Sequence, residues 1–211
     1  MQSRRSREPR SPLIVGLGGS AGQGSATDIA LLSVLKAAEL AGANTRFFGG
    51  RYLAGLPSYD PVATARTPQQ AQFVEAMRAA DGVVIATPVH HGGVSSLLTN
   101  ALDLLQDLRD DARPDLRDRA VACVVTGAGA QSAAATLMAL RGTIHALGGW
   151  PTPVGVTVDL SQVKFSLTGH CADPRVAAQL QTAGCQVVEF ALARRLYADR
   201  ISPGEWVAAR A

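Results

Sequence analysis

Apolar residues fall into short unbroken runs, separated by longer stretches where they recur every three or four positions. Leu13-Ile-Val-Gly-Leu17, Val83-Val-Ile-Ala86 and the run from Ala120 to Val125 are continuous rather than alternating. Continuous runs mark strands covered on both faces, as in a parallel sheet between helices. Residues 45–48 and 153–158 read as two more strands. Ile29, Leu32, Leu35 and Leu40 repeat at helical spacing, with Ser25 or Thr27 placed to cap their helix and Gly42 to end it. Pro68 suits the first turn of a helix running to about Ala80. Further helices are predicted over residues 94–108, 132–147 and 173–200.

Two connections stand out. Residues 49–67 form a long one containing Tyr52, Pro57, Tyr59 and Pro61, and loops of that length in compact domains are more often functional than idle. Residues 109–119 mix Asp with Arg and read as a solvated connection rather than a metal site. Strands alternating with helices predict an α/β fold: a doubly wound, five-stranded parallel sheet with helices on both faces. The domain spans residues 13–200, between a basic tail (1–12) and a C-terminal tail (201–211).

Charge changes the picture by its location. Arg4, Arg5, Arg7 and Arg10 with Glu8 account for the whole formal net charge of +3. The tail therefore reads as a solvated, disordered arm, and the body is close to neutral. A neutral body lacks the phosphate-neutralising term that drives nucleic-acid binding. No apolar segment of signal-peptide or membrane-spanning length is present. Cys123, Cys171 and Cys185 lack C-x-x-C spacing, which points to inert thiols and a reducing cytoplasm.

In a doubly wound sheet the ligand crevice lies beyond the carboxyl ends of the strands, where their order reverses. The loop after the first strand reads Gly18-Gly-Ser-Ala-Gly-Gln-Gly-Ser-Ala-Thr27. Its glycines admit a ligand close to the backbone, and the following helix start favours an anion. A dinucleotide fingerprint fits Gly16, Gly18 and Ala21, but no acidic residue follows the second strand, and no Gly-Lys-Ser/Thr P-loop exists. The third strand leads into Thr87-Pro-Val-His-His-Gly-Gly93, and the fourth into Thr126-Gly-Ala-Gly129.

These segments resemble the NAD(P)H-dependent FMN reductase family, of flavodoxin-like fold. Its G-S-x-R-x-x-S-x-N loop corresponds to residues 19–27, its S/T-P-x-Y to residues 87–90, and its L-K-N-x-L-D to residues 98–103. Leu56-Pro-Ser-Tyr-Asp60 is similar to the L-P-x-Y-D of the family's long loop. The resemblance implies that Ser20, Gln23, Gly24, Ser25 and Thr27 cradle an FMN phosphate. By the same resemblance, Pro88, Val89, His90 and His91 line the isoalloxazine and ribityl chain, and Thr126, Gly127, Ala128 and Gly129 border the ring's other edge. The family's arginine is Gly22 here, so one charged contact is missing, and its tyrosine is His90. An imidazole there can stack on or donate to the ring and tune it by taking up a proton near neutral pH.

The activity implied is hydride transfer from NADPH or NADH to FMN, and onward to free flavin, a flavin-dependent monooxygenase or a flat acceptor such as a quinone. No catalytic side-chain triad is needed, because the cofactor carries the redox chemistry. The alternatives are an electron carrier of flavodoxin type, against which the neutral body argues, and a binding module without cofactor, which the missing arginine favours. The resemblance also implies a homodimer or tetramer. Leu97, Leu98, Ala101, Leu104 and Leu105 offer apolar surface for both core and partner.

Overall fold

The computed structural model describes residues 10–22, 24–166, 169 and 171–200. The arm at 1–9, Gln23 and the tail at 201–211 lie outside the described residues. Five strands form one parallel sheet in the order β2-β1-β3-β4-β5. They are β1 (Leu13–Gly18), β2 (Asn44–Phe48), β3 (Gly82–Pro88), β4 (Ala120–Gly127) and β5 (Trp150–Asp159). The helices are α1 (Ala26–Leu40), α2 (Gly50–Ala54), α3 (Pro68–Ala79), α4 (Ser96–Asp103), α5 (Ala130–Ala146) and α6 (Pro174–Arg200). This is the doubly wound parallel sheet that the alternation of runs predicted, in the flavodoxin-like form that the resemblance implied.

Strand side chains alternate between two cores. Val15, Leu17, Val83, Ile85, Val121 and Cys123 pack with residues of α2 to α5. Ile14, Val84, Ala86, Ala120, Ala122 and Val124 pack with α1 and α6. The inner strands β1, β3 and β4 are buried along nearly their whole length, which is why their runs are unbroken. Pro151 and Pro153 lie in β5, an edge strand, where a missing N–H costs least.

Helix starts follow the expected chemistry. Ser25 caps α1, its hydroxyl accepting from Asp28 N. Thr67, the N-cap of α3, and Gln70 at its third position form a reciprocal capping box spanning Pro68. Of the three free thiols, Cys123 and Cys171 are buried and Cys185 is half-buried, and burial pushes the Cys123 thiol up to about 12.

Four expectations need correction. Residues 49–67 are not loop throughout, because α2 occupies Gly50–Ala54 and buries Leu53. Five residues are too few to show a helical period. Residues 94–108 are not one helix: α4 gives way to a 3₁₀ segment, Leu104–Leu108. Of the apolar residues expected to serve both core and partner, Leu98, Ala101, Leu104 and Leu105 are fully buried in the chain's own core, while Leu97 is half-buried. Ser96, Thr99 and Asp103 face outward instead. Finally, the connection 109–119 is not simply solvated, since Leu116 and Arg119 are buried.

Arg119 is among the largest fully buried side chains. Its guanidinium donates to the carbonyls of Ala80, Arg113, Asp115, Arg117 and Arg78 at 3.1–3.3 Å. Burial and the neighbouring Arg113 pull its pKa down to about 10, so the cation is retained at neutral pH by carbonyl dipoles. It thereby ties the end of α3 to the turn entering β4. Arg119→Ala should lower stability by about 3 kcal/mol, because buried carbonyls lose their charged donor. Urea unfolding reads this as a lower midpoint at unchanged slope. Arg119→Lys should recover only part, lacking the planar fork.

Candidate active site

The strand order reverses between β1 and β3, and the loops following β1, β3 and β4 meet at that edge of the sheet. Gly19 N donates to Ala86 O at 2.8 Å, which roots the first loop against β3. Val89 N donates to Thr126 O at 2.9 Å, which joins the second loop to the third. Thr27 Oγ1 and Thr126 Oγ1 lie 2.6 Å apart and join the first to the third. The predicted site residues are therefore brought together from three segments far apart in sequence.

In the first loop, Ser20 and Ser25 are half-buried, and Ala21, Gly22 and Gly24 are exposed. Gly24 has φ +64°, the left-handed region that glycine adopts without strain, and a Cβ there would meet nothing within 4 Å. A Cβ on Gly22 would stand 3.9 Å from both Ser20 Oγ and Ser25 Cβ. The loop thus leaves open space at Gly22 and Gly24 beside the two serines, at the N-terminal end of α1. Neutral N–H and O–H donors with the positive end of a helix suit a phosphate dianion, so the residues present fit FMN. Thr27 takes a different place from its neighbours. It is buried, and its hydroxyl is shared with Thr126, so the pair has one remaining O–H to offer.

The second loop closes in a tight turn. His90 and Gly93 exchange backbone bonds at 3.1 and 2.8 Å, with His91 (φ 51°) and Gly92 (φ 76°) both left-handed between them. Both imidazoles are exposed, while Pro88 and Val89 are half-buried. Buried Thr87 accepts from Ser95 N at 3.1 Å, and Ser95 caps α4, so the loop is pinned at both ends. In the third loop Gly127 is half-buried, and Ala128 and Gly129 are exposed. Gly129 N donates to Asp159 Oδ1 at 3.2 Å, so Gly129 shapes the rim without offering that donor to a ligand.

Two acidic residues escaped sequence reasoning. Asp159 closes β5; bonds from Ser161 Oγ, Ser161 N and Gly129 N hold its carboxyl below the usual range. An Asp at the carboxyl edge of a strand was the available signal. Asp28, on the first turn of α1, is buried, and one oxygen accepts from Gly50 N at 3.4 Å. Burial pushes its carboxyl above the ordinary value, and the Gly50 bond only partly opposes this. It fastens α2 to α1 where Gly50 passes the first loop. A Cβ on Gly50 would fall 1.5 Å from Ser20 O, so the two backbones are in direct contact.

With this geometry in hand, likeness to known proteins carries weight. The family model for NADPH-dependent FMN reductase matches residues 12–162. The chain belongs to that family. It is accordingly a flavin-dependent oxidoreductase, with FMN as cofactor and NAD(P)H as co-substrate. Among solved structures, FerB, described as a flavoenzyme NAD(P)H:(acceptor) oxidoreductase from Paracoccus denitrificans, is 18% identical with TM-score 0.71, covering 87% of this chain and 98% of its own. The apo form of an NADH:FMN oxidoreductase, EmoB, is 24% identical with TM-score 0.66, covering 87% and 90%. RosB, bound to 8-demethyl-8-formylriboflavin-5'-phosphate, is 13% identical with TM-score 0.68, covering 95% and 86%. At these identities the structures bear on the fold. A comparison with curated protein sequences found no match. Among the described residues no helix is long and apolar enough to cross a membrane.

The raised Asp28 carboxyl sets a pH dependence. The folded state binds its proton more tightly than the unfolded chain does, so this group's contribution to stability is present below the ordinary value near 3.8 and is lost as pH rises through the raised one. Asp28→Asn cannot ionise and should gain stability relative to the parent chain across that interval. Thermal melts of both proteins between acid and neutral pH would show a widening gap, and a constant gap would refute it.

Proposed function

We propose that the family's flavin sits in this reductase with its phosphate in the β1–α1 loop and its ring between the loops after β3 and β4. Electrons pass from NAD(P)H to free flavin or to a small flat acceptor. The observation that supports this reading is the convergence of the three loops, with Gly19 bonded to Ala86 and Thr27 to Thr126, beside open space at Gly22 and left-handed Gly24 next to Ser20 and Ser25.

The chain's own residues bind and orient. Ser20, Ser25 and the leading amides of α1 hold the dianion without a cationic side chain, relying on aligned dipoles worth about half a charge. Ser25 already accepts from Asp28 N, so its hydroxyl proton is free to point at the phosphate. Pro88 and Val89 would present apolar surface to the ring, and exposed His90 would stand near it. Ala128 and Gly129 form the rim opposite. The bound flavin supplies the hydride chemistry, and the open face beside the histidines leaves room for a flat donor or acceptor. A homodimer or tetramer built over α4 would meet through its outward polar face, and light scattering reads that state directly.

Anaerobic mixing of the FMN-loaded protein with NADPH, and separately NADH, should bleach the flavin absorbance. Free FMN, quinones and azo dyes added afterwards would rank the acceptors by rate of colour return. A flavin that neither nucleotide reduces would overturn the proposal. Ser20→Ala should raise the FMN dissociation constant about tenfold or more, the usual cost of a neutral donor lost from a charged partner. Fluorescence titration measures it.

A further inference from the structure

The third loop carries no side chain long enough to hold itself, since Gly127, Ala128 and Gly129 follow Thr126. Its shape is set by its neighbours. Thr126 O accepts from Val89 N at 2.9 Å, and Gly127 O accepts from Leu160 N at 2.8 Å. A Cβ on Gly127 would fall 2.6 Å from Val89 Cγ2, so this end of the loop lies against the second loop without slack.

The far end hangs on Gly129. It stands at φ 95° and ψ 126°, a conformation open to glycine, and it begins α5 with no side chain to cap the helix. Asp159, the last residue of β5, supplies from the neighbouring strand what Gly129 lacks. Its Oδ1 accepts from Gly129 N at 3.2 Å and sets a carboxylate at the start of α5, where negative charge is favourable. Ser161 fixes that oxygen in turn, donating to it from its hydroxyl at 2.7 Å and from its amide at 3.0 Å. The Asp159 carbonyl accepts from Gln162 N and Val163 N, which turns the chain and keeps Ser161 in place.

We propose that Asp159 is a positioning residue for the flavin: through Gly129 it fixes the third loop relative to Val89, and so the slot that takes the ring. The proposal rests on the reading above, in which the ring lies between the loops after β3 and β4. Asp159 itself need touch neither flavin nor substrate. Without its carboxylate, Gly129 N loses its acceptor, and two glycines around Ala128 regain the conformational freedom that ordering them removes. Binding the ring must then order the loop, which weakens the ring end of the site and leaves the phosphate end as it was.

The test uses the full chain and two ligands, FMN and riboflavin, which has the same ring without the phosphate. Asp159→Ala should raise both dissociation constants by the same factor, about tenfold, in fluorescence titrations. The visible absorption bands of bound FMN should shift, because the surroundings of the ring change. Ser20→Ala, at the phosphate end, should weaken FMN alone. Asp159→Asn keeps an acceptor for Gly129 N and should bring both constants back to within about twofold of the parent. Where Asp159→Ala does not fold, Ser161→Ala carries the same comparison at about threefold. In the flavin-free protein, hydrogen exchange over residues 127–132 should quicken in Asp159→Ala and stay unchanged over residues 19–22. Three results would overturn this inference alone: a lower melting temperature with binding and spectrum intact, a loss confined to FMN, or Asp159→Asn as impaired as the alanine variant. Failure of the parent chain to bind FMN would overturn the flavin reading and this inference with it.

Discussion

The reversal of strand order beside β1 is the constraint on which everything else depends. With β2 on one side of β1 and β3 on the other, right-handed crossovers send α1 to one face of the sheet and α3 and α4 to the other. The loops leaving β1 and β3 must then part, and a crevice opens between them. The bond from Gly19 N to Ala86 O carries the parallel ladder just past the end of β1, so the loops diverge from a fixed root. The site is rigid at its base for that reason.

Within the crevice, the first loop carries backbone and hydroxyl donors where the resembled family pattern has a charged side chain. The arginine position holds Gly22, and the loop offers amides, two serines and a helix start. Dipoles of this kind are pre-oriented by the fold, whereas a long cationic side chain must be ordered on binding. The arrangement demands close approach. Gly50 passes against the Ser20 carbonyl, and Asp28 fastens that crossing from below.

The two histidines stand between two different surroundings. On one side are the β1–α1 loop and Pro88 and Val89; on the other is the polar face of α4 with Tyr59 opposite. The left-handed turn at His91 and Gly92 keeps both imidazoles exposed rather than folded into the core. A non-glycine residue held in that region costs about 1 kcal/mol or more, and the paired bonds between His90 and Gly93 offset it.

Unbroken apolar runs determined the three inner strands, because inner strands of a covered parallel sheet have no solvent face to mark with polar residues. Glycine and hydroxyl composition determined the three loops, because positive φ and N-capping are local demands that a short segment meets alone. Tertiary structure decided what depends on distant partners. Arg119 reads as solvated until its carbonyl cage, reaching back to Arg78, is assembled. Asp28 and Asp159 gain their roles from Gly50 and Gly129, and the Tyr59 amide finds its acceptor in Asn100, pairs that no local period records. Helix α2 and the break in α4 are set by packing over fewer residues than a helical repeat needs to declare itself. Local chemistry wrote the elements and the loops into the chain, and long-range contact alone chose which of their side chains meet.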